Sequence, residues 1–121
     1  MKNILIIDDD FFVRQLLRDL LEANFYDVTE ASNGADGITL QAQKPFDLII
    51  TDIVMPEKEG LETIIELKRK YPTTRIVAIS GQGKMIKGEY LDMAKKLGAH
   101  AVFSKPVDPD LFIEEIKRLL S

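Results

Sequence analysis

Cysteine is absent from the 121 residues. That excludes disulfides, thiol catalysis and Cys-ligated zinc. Histidine occurs once, as His100. No apolar run approaches the roughly 18 residues that a membrane-spanning helix needs. The start, Met1-Lys2-Asn3, leads into a short apolar run that ends in Asp8-Asp9-Asp10. A secretory signal would need a small-residue cleavage site there, so the expected address is cytoplasmic, with no membrane partner. An excess of basic charge is missing too: 16 Lys+Arg against 20 Asp+Glu leaves a net charge of −4. Nucleic acid is therefore not expected as a direct partner. What is present is ordinary globular composition, 45% hydrophobic and 30% charged, enough to bury a core and too apolar for disorder. At about 150 residues per domain the length implies a single domain, residues 1–121.

Short β-branched runs alternate with stretches of helical period. Strands are predicted at Ile4–Ile7, Asp27–Glu30, Leu48–Thr51, Ile76–Ser80 and Ala101–Phe103. The first, third and fourth are almost wholly apolar, as strands buried on both faces are. Helices are predicted over Phe11–Ala23, Ala35–Gln43, Leu61–Lys70, Tyr90–Leu97 and Pro109–Leu120. Val13, Leu17, Leu20 and Leu21 form the apolar stripe of the first, and Leu61, Ile64 and Ile65 that of the third. Asp10 reads as the N-cap of the first helix and Asp108 as that of the fifth, with Pro109 at its tolerated first position. Gly98 is placed to stop the fourth. Five βα units with short connections and right-handed crossovers imply a parallel sheet between two helical layers. The flavodoxin-like strand order 2-1-3-4-5 is the common winding at this size. No repeat, low-complexity segment or linker interrupts the chain, and the fifth helix runs to its end, so no output domain is expected.

Sites on open α/β sheets form beyond the C-terminal ends of the strands. There the sequence sets Asp8-Asp9-Asp10 after strand one, Asp52 after strand three, Ser80 at the end of strand four, and Lys105-Pro106 after strand five. Clustered carboxylates repel, and a hard divalent cation relieves the conflict. An all-oxygen donor set suits Mg²⁺ or Mn²⁺. Asp52, between such a cation and Lys105, is a nucleophile for a phosphoryl group, with Ser80 donating to the product.

These motifs carry a resemblance. Ile4-Leu5-Ile6-Ile7-Asp8-Asp9-Asp10, Asp47-Leu48-Ile49-Ile50-Thr51-Asp52-Ile53-Val54-Met55-Pro56 with Gly60, Ile76-Val77-Ala78-Ile79-Ser80-Gly81 and Ser104-Lys105-Pro106 stand in the order and spacing of the response-regulator receiver domain. The sequence resembles that family over its whole length. The strand order above is exemplified by this same family, so topology and resemblance are not independent arguments for it. The resemblance implies that Asp8 and Asp9 hold Mg²⁺ with the Val54 main-chain carbonyl, that Asp52 is the phosphoacceptor and also touches the metal, and that Ser80 and Lys105 contact the phosphoryl group. It implies a cis Lys105–Pro106 bond, slow self-dephosphorylation tuned at Val54 and Gln82, and an output surface on helices four and five. A histidine kinase or phosphotransfer protein would be the donor, and an unnamed downstream protein the target.

Two positions depart from the family pattern. An aromatic residue commonly stands three places before the lysine, where this chain has Val102; Phe103, next to it, falls on the opposite side of the sheet. Gly81 replaces the usual Ala after the switch hydroxyl and opens a Gly-rich loop. Phe11 and Phe12 exceed what the first helix needs for packing, so at least one is expected at the surface as a docking patch for the phosphodonor. His100 reads as a surface loop residue, and Met85 and Met93 as packing residues. Gly81-Gln82-Gly83-Lys84 lacks the flanking residues of a phosphate loop. A haloacid-dehalogenase-like phosphatase would share the Asp-x-Asp pattern but needs acidic residues after a later strand. A receiver that no longer takes phosphate would have lost one of the five site positions, and all five are present.

Overall fold

The computed structural model describes residues 1–53, 59–81 and 87–121, with side chains from residue 60 and from residue 92 in the second and third segments. Its strands are β1 Asn3–Ile7, β2 Asp27–Ala31, β3 Leu48–Asp52, β4 Arg75–Ser80 and β5 Ala101–Ser104. Its helices are α1 Phe11–Glu22, α2 Gly34–Gln43, α3 Glu59–Lys70, α4 Lys87–Lys96 and α5 Pro109–Leu120. All neighbouring strands pair in parallel, in the order β2-β1-β3-β4-β5. The expected winding is the observed one.

Alternation along the strands divides the core in two. Ile4, Ile6, Leu48, Ile50, Val77 and Ile79 face Leu17 and Leu21 of α1 and Phe112 and Ile116 of α5. Leu5, Ile7, Ile49, Ile76 and Ala78 face Leu61, Ile64 and Leu67 of α3 and Ala94 of α4. Each such aliphatic side chain, fully withdrawn from water, contributes roughly 1.5–3 kcal/mol. This explains why the central strands are wholly apolar between the polar residues at their ends, such as Asn3 and Arg75 at the start and Thr51, Asp52 and Ser80 at the finish.

The helix boundaries have local causes. Asp10 accepts hydrogen bonds from the amides of Phe12 and Val13, and Asp108 from those of Asp110 and Leu111, capping α1 and α5 as expected. Gly98 adopts φ +116° after α4, with the Ala99 amide donating to Ala94 and its own amide to Lys95. That is the glycine-ended helix stop the sequence announces. Helix α1 ends with the same pair of bonds, Tyr26 to Leu21 and Phe25 to Glu22, but the left-handed position is filled by Phe25 at φ +69°. No local signal marks that turn.

Two packing expectations need correction. Ile65 is exposed on α3 and Leu67 is buried in its place. The buried face runs through Gly60, Thr63, Ile64 and Leu67, and a residue one step past Ile64 rotates about 100° away from it. Met93 is exposed on α4, where Ala94 makes the close contact. Met85 lies outside the described residues. Among the described residues no helix is long and apolar enough to cross a membrane.

Candidate functional site

The register of the sheet assembles the site. Ile7 pairs with Thr51, so Asp8, just past β1, and Asp52, the last residue of β3, emerge side by side at the C-terminal edge. Asp52 pairs in turn with Ile79, and Ser80 with Ser104, which brings Ser80 and Lys105 to the same edge. The Lys105 main-chain amide donates to the Ser80 carbonyl at 2.8 Å, and the Lys105–Pro106 bond is cis.

Asp8 and Asp52 are 2% and 4% exposed, an unusual burial for carboxylates. The Lys105 ammonium donates to both, at 2.9 Å to Asp8 Oδ2 and 3.2 Å to Asp52 Oδ2. Asp8 also accepts the Asp10 amide at 2.9 Å. Burial dominates at Asp8 and pushes its carboxyl above the ordinary value, against the Asp10 amide and Lys105. Burial opposes the charge on Lys105 as well, but the bond to Asp8 and the charges of Asp52 and Asp8 outweigh it and hold the ammonium above the usual lysine range. Among the described residues the two carboxylates share the Lys105 ammonium, and negative charge is in excess.

Asp8, Asp9 and Asp52 each offer a carboxylate oxygen, all within 4.8 Å of one another. Their donor set is oxygen only, and Asp9 opens to solvent. These residues fit a hard divalent cation that keeps part of its water shell. The Val54 carbonyl and Gln82, expected near the phosphoryl group, lie outside the described residues.

Around this centre the structure gives roles to two residues of the motif, Gly60 and Thr51, and adds Arg14 and Glu30, which sequence reasoning did not single out. Gly60 lets α3 approach the backbone behind Asp52: a Cβ there would sit 2.2 Å from the Asp52 carbonyl oxygen. Thr51 is fully buried and donates to that same oxygen at 3.0 Å. Arg14 donates to the Asp8 carbonyl at 2.6 Å and to Glu30 at 3.0 Å. A glycine after the Asp52-x-x-x-Pro56 segment was a readable signal; Arg14 and Glu30 carried none that linked them.

Ser80 is buried, with its hydroxyl donating to the Gly81 carbonyl at 3.3 Å. Val102 packs on the α3/α4 side of the sheet, and Phe103 packs edge-on against Phe112, ring centroids 5.4 Å apart, on the α1/α5 side. Phe103 is thus on the opposite layer, as strand alternation requires. Phe11 and Phe12 are 57% and 80% exposed at the head of α1, beside the site. His100 is exposed, yet its ring accepts the Ile76 amide through Nδ1 at 3.3 Å, a contact the sequence did not suggest.

Residues 4–117 match the family model of the response regulator receiver domain. The chain is 32% identical to the chemotaxis protein CheY of Halobacterium salinarum over 120 residues, covering 99% of this chain and 98% of the relative. It is 34% identical to the polar-differentiation response regulator DivK of Brucella anthropi, covering 98% and 96%. Among solved structures, a response regulator receiver domain protein from Clostridium thermocellum superposes with a TM-score of 0.89 at 27% identity, covering 99% and 94%. The family match sets aside the phosphatase alternative. With its sheet order, acidic edge and relatives in agreement, the chain belongs to the response regulator receiver domain family, the phosphoacceptor switches of two-component signalling.

Proposed function

We propose that Asp52 is the phosphoacceptor, that Asp8, Asp9 and Asp52 hold Mg²⁺ or Mn²⁺ with the Val54 carbonyl, and that Lys105 and Ser80 bind the phosphoryl group. The observation that carries this reading is the Lys105 ammonium bridging two buried carboxylates. An Asp52 oxygen attacks phosphorus, the bond from phosphorus to the donor nitrogen or oxygen breaks, and the leaving group takes up a proton from solvent. Lys105 is placed to turn from carboxylate to phosphoryl oxygen, and Ser80 to exchange the Gly81 carbonyl for the same group. A bound cation supplies charge neutralisation at the phosphoryl oxygens. The reaction stops at the aspartyl phosphate and its slow hydrolysis, so the chain acts as a switch rather than a turnover enzyme.

Residues 1–121 act as one receiver domain, in keeping with relatives matched over nearly their full length. A histidine kinase or phosphotransfer protein is the donor. Exposed Phe11, Phe12 and Leu16 beside a shallow apolar groove of Val13, Leu17, Pro106 and Val107 support docking of that donor at the head of α1. The output passes to a protein partner through α4 and α5. With Val102 in place of the aromatic, the change passes to that surface through Ser80.

Intact-mass analysis after incubation with acetyl phosphate and Mg²⁺ tests the chemistry. One added phosphoryl group is expected, absent in Asp52→Asn and absent without metal. No adduct, together with no metal-dependent beryllofluoride binding, would overturn the assignment. Phe11→Ala and Phe12→Ala are expected to slow transfer from a phosphotransfer protein while leaving labelling by acetyl phosphate unchanged.

A further inference from the structure

Arg14 lies behind the acidic turn, four residues beyond its N-cap Asp10. Its side chain is 15% exposed and its donors are used in two directions. Nη1 reaches the Asp8 main-chain oxygen at 2.6 Å, and Nε reaches Oε1 of Glu30 on β2 at 3.0 Å. Glu30 is itself held: its other oxygen pairs with Arg18, which also donates to the Val28 carbonyl at 2.9 Å. The planar guanidinium is thus clamped between a strand and the first peptide beyond β1.

That peptide joins Asp8 to Asp9. Its amide plane is rigid, so fixing the Asp8 carbonyl fixes the direction in which the Asp9 chain leaves. The Asp8 amide is anchored to Ala31 at 3.1 Å, the Asp8 side chain caps the Asp10 amide, and the Asp8 carbonyl is anchored by Arg14. Asp9 is the exposed member of the three carboxylates and lies two residues beyond β1. Resting on the reading of those carboxylates as cation ligands, we infer that Arg14, oriented by Glu30, is a positioning residue that sets the Asp9 carboxylate for Mg²⁺. The guanidinium touches no ligand oxygen among its described contacts; it acts through the backbone.

Geometry and charge make opposite predictions here. Arg14 is a positive charge near a cation site, so removing it would tighten metal binding if only its field mattered. If Arg14 sets geometry, removing it weakens binding, and Mg²⁺ suffers more than Ca²⁺. Mg²⁺ demands a near-ideal octahedron, whereas Ca²⁺ accepts irregular coordination.

Calorimetric titration of Mg²⁺ and of Ca²⁺ into the full chain separates the two. In Arg14→Met the Mg²⁺ dissociation constant is expected to rise about tenfold, as outer-sphere changes do, with Ca²⁺ affected much less. Arg14→Lys keeps the charge but cannot bridge Asp8 and Glu30 as a fork, so it should weaken Mg²⁺ as well. Glu30→Gln should give a smaller loss. The far-ultraviolet spectrum and melting temperature of each metal-free variant check folding, and Arg14→Lys and Glu30→Gln keep the test alive if Arg14→Met does not fold. Unchanged or tighter Mg²⁺ binding in folded Arg14 variants, with binding lost in Asp9→Asn, would overturn the positioning role alone. Absence of saturable Mg²⁺ binding in the wild type would overturn the underlying reading and this inference together.

Discussion

Two charge networks meet at the β1–α1 connection, and they are built with opposite majorities. At the sheet edge, two buried carboxylates, Asp8 and Asp52, share one ammonium, Lys105. On the flank, two guanidinium groups, Arg14 and Arg18, share one carboxylate, Glu30. The flank network is neutralised further by Glu22 and donates to the carbonyls of Asp8 and Val28. It is closed: its charges are spent on holding backbone. The edge network is open, since Asp9 adds negative charge to an already negative pair. An excess of buried carboxylate costs stability unless a cation arrives, and that cost is what makes the edge responsive. Structure and reactivity here are distinguished by the sign of the surplus, with the same residue classes in both.

The sharpest way to break the comparison is Asp52→Asn. Labelling by acetyl phosphate should vanish in an intact-mass experiment, while Arg18→Met should leave it untouched. Next in size is Lys105→Met. With the Lys105 ammonium gone, the edge keeps two buried carboxylates, and the metal-free protein should lose about 3–5 kcal/mol in urea unfolding. Added Mg²⁺ should recover most of that loss, which no cation could do for a broken flank network.

Asp8→Asn probes the sign of the surplus. Burial raises the Asp8 carboxyl, so the fold is more stable with that group protonated. Stability from this source is full below the ordinary carboxylate pKa and is lost as pH rises through the raised value. The metal-free Asp8→Asn protein should therefore melt higher than wild type at neutral pH, and the gap should close on acidification. A variant that melts lower at neutral pH would show that the edge is closed after all. Smallest is Arg18→Met, which removes two partly exposed ion pairs, to Glu30 and Glu22, and a bond to Val28, and should cost about 1 kcal/mol with no change in Mg²⁺ affinity.

Much of this was legible before any coordinates. Asp8, Asp52 and Lys105 announce themselves because each ends or follows an apolar strand, and parallel strands deliver their C-terminal ends to one edge. The caps at Asp10 and Asp108 and the stop at Gly98 are local devices, decided by side chains within a few residues. Other features were hidden. Nothing in the sequence sets Arg14 apart, because its partners come from the Asp8 backbone and from β2. Ile65 and Leu67 are equally apolar, and only the close seat of α3, allowed by Gly60, chose between them.

By itself, then, the sequence determined the alternation of strand and helix, the sheet's buried centre and the identity of the groups at its edge. Those follow from periodicity and short-range chemistry, which act along the chain. The tertiary structure decided what distance in sequence conceals: Lys105 meeting Asp8 across 97 residues, Glu30 holding Arg14, and Phe25 accepting a left-handed turn so that α1 can hand the chain to β2. Such contacts depend on the register of packed elements, and register is a property of the whole sheet, fixed only when every strand has found its neighbour.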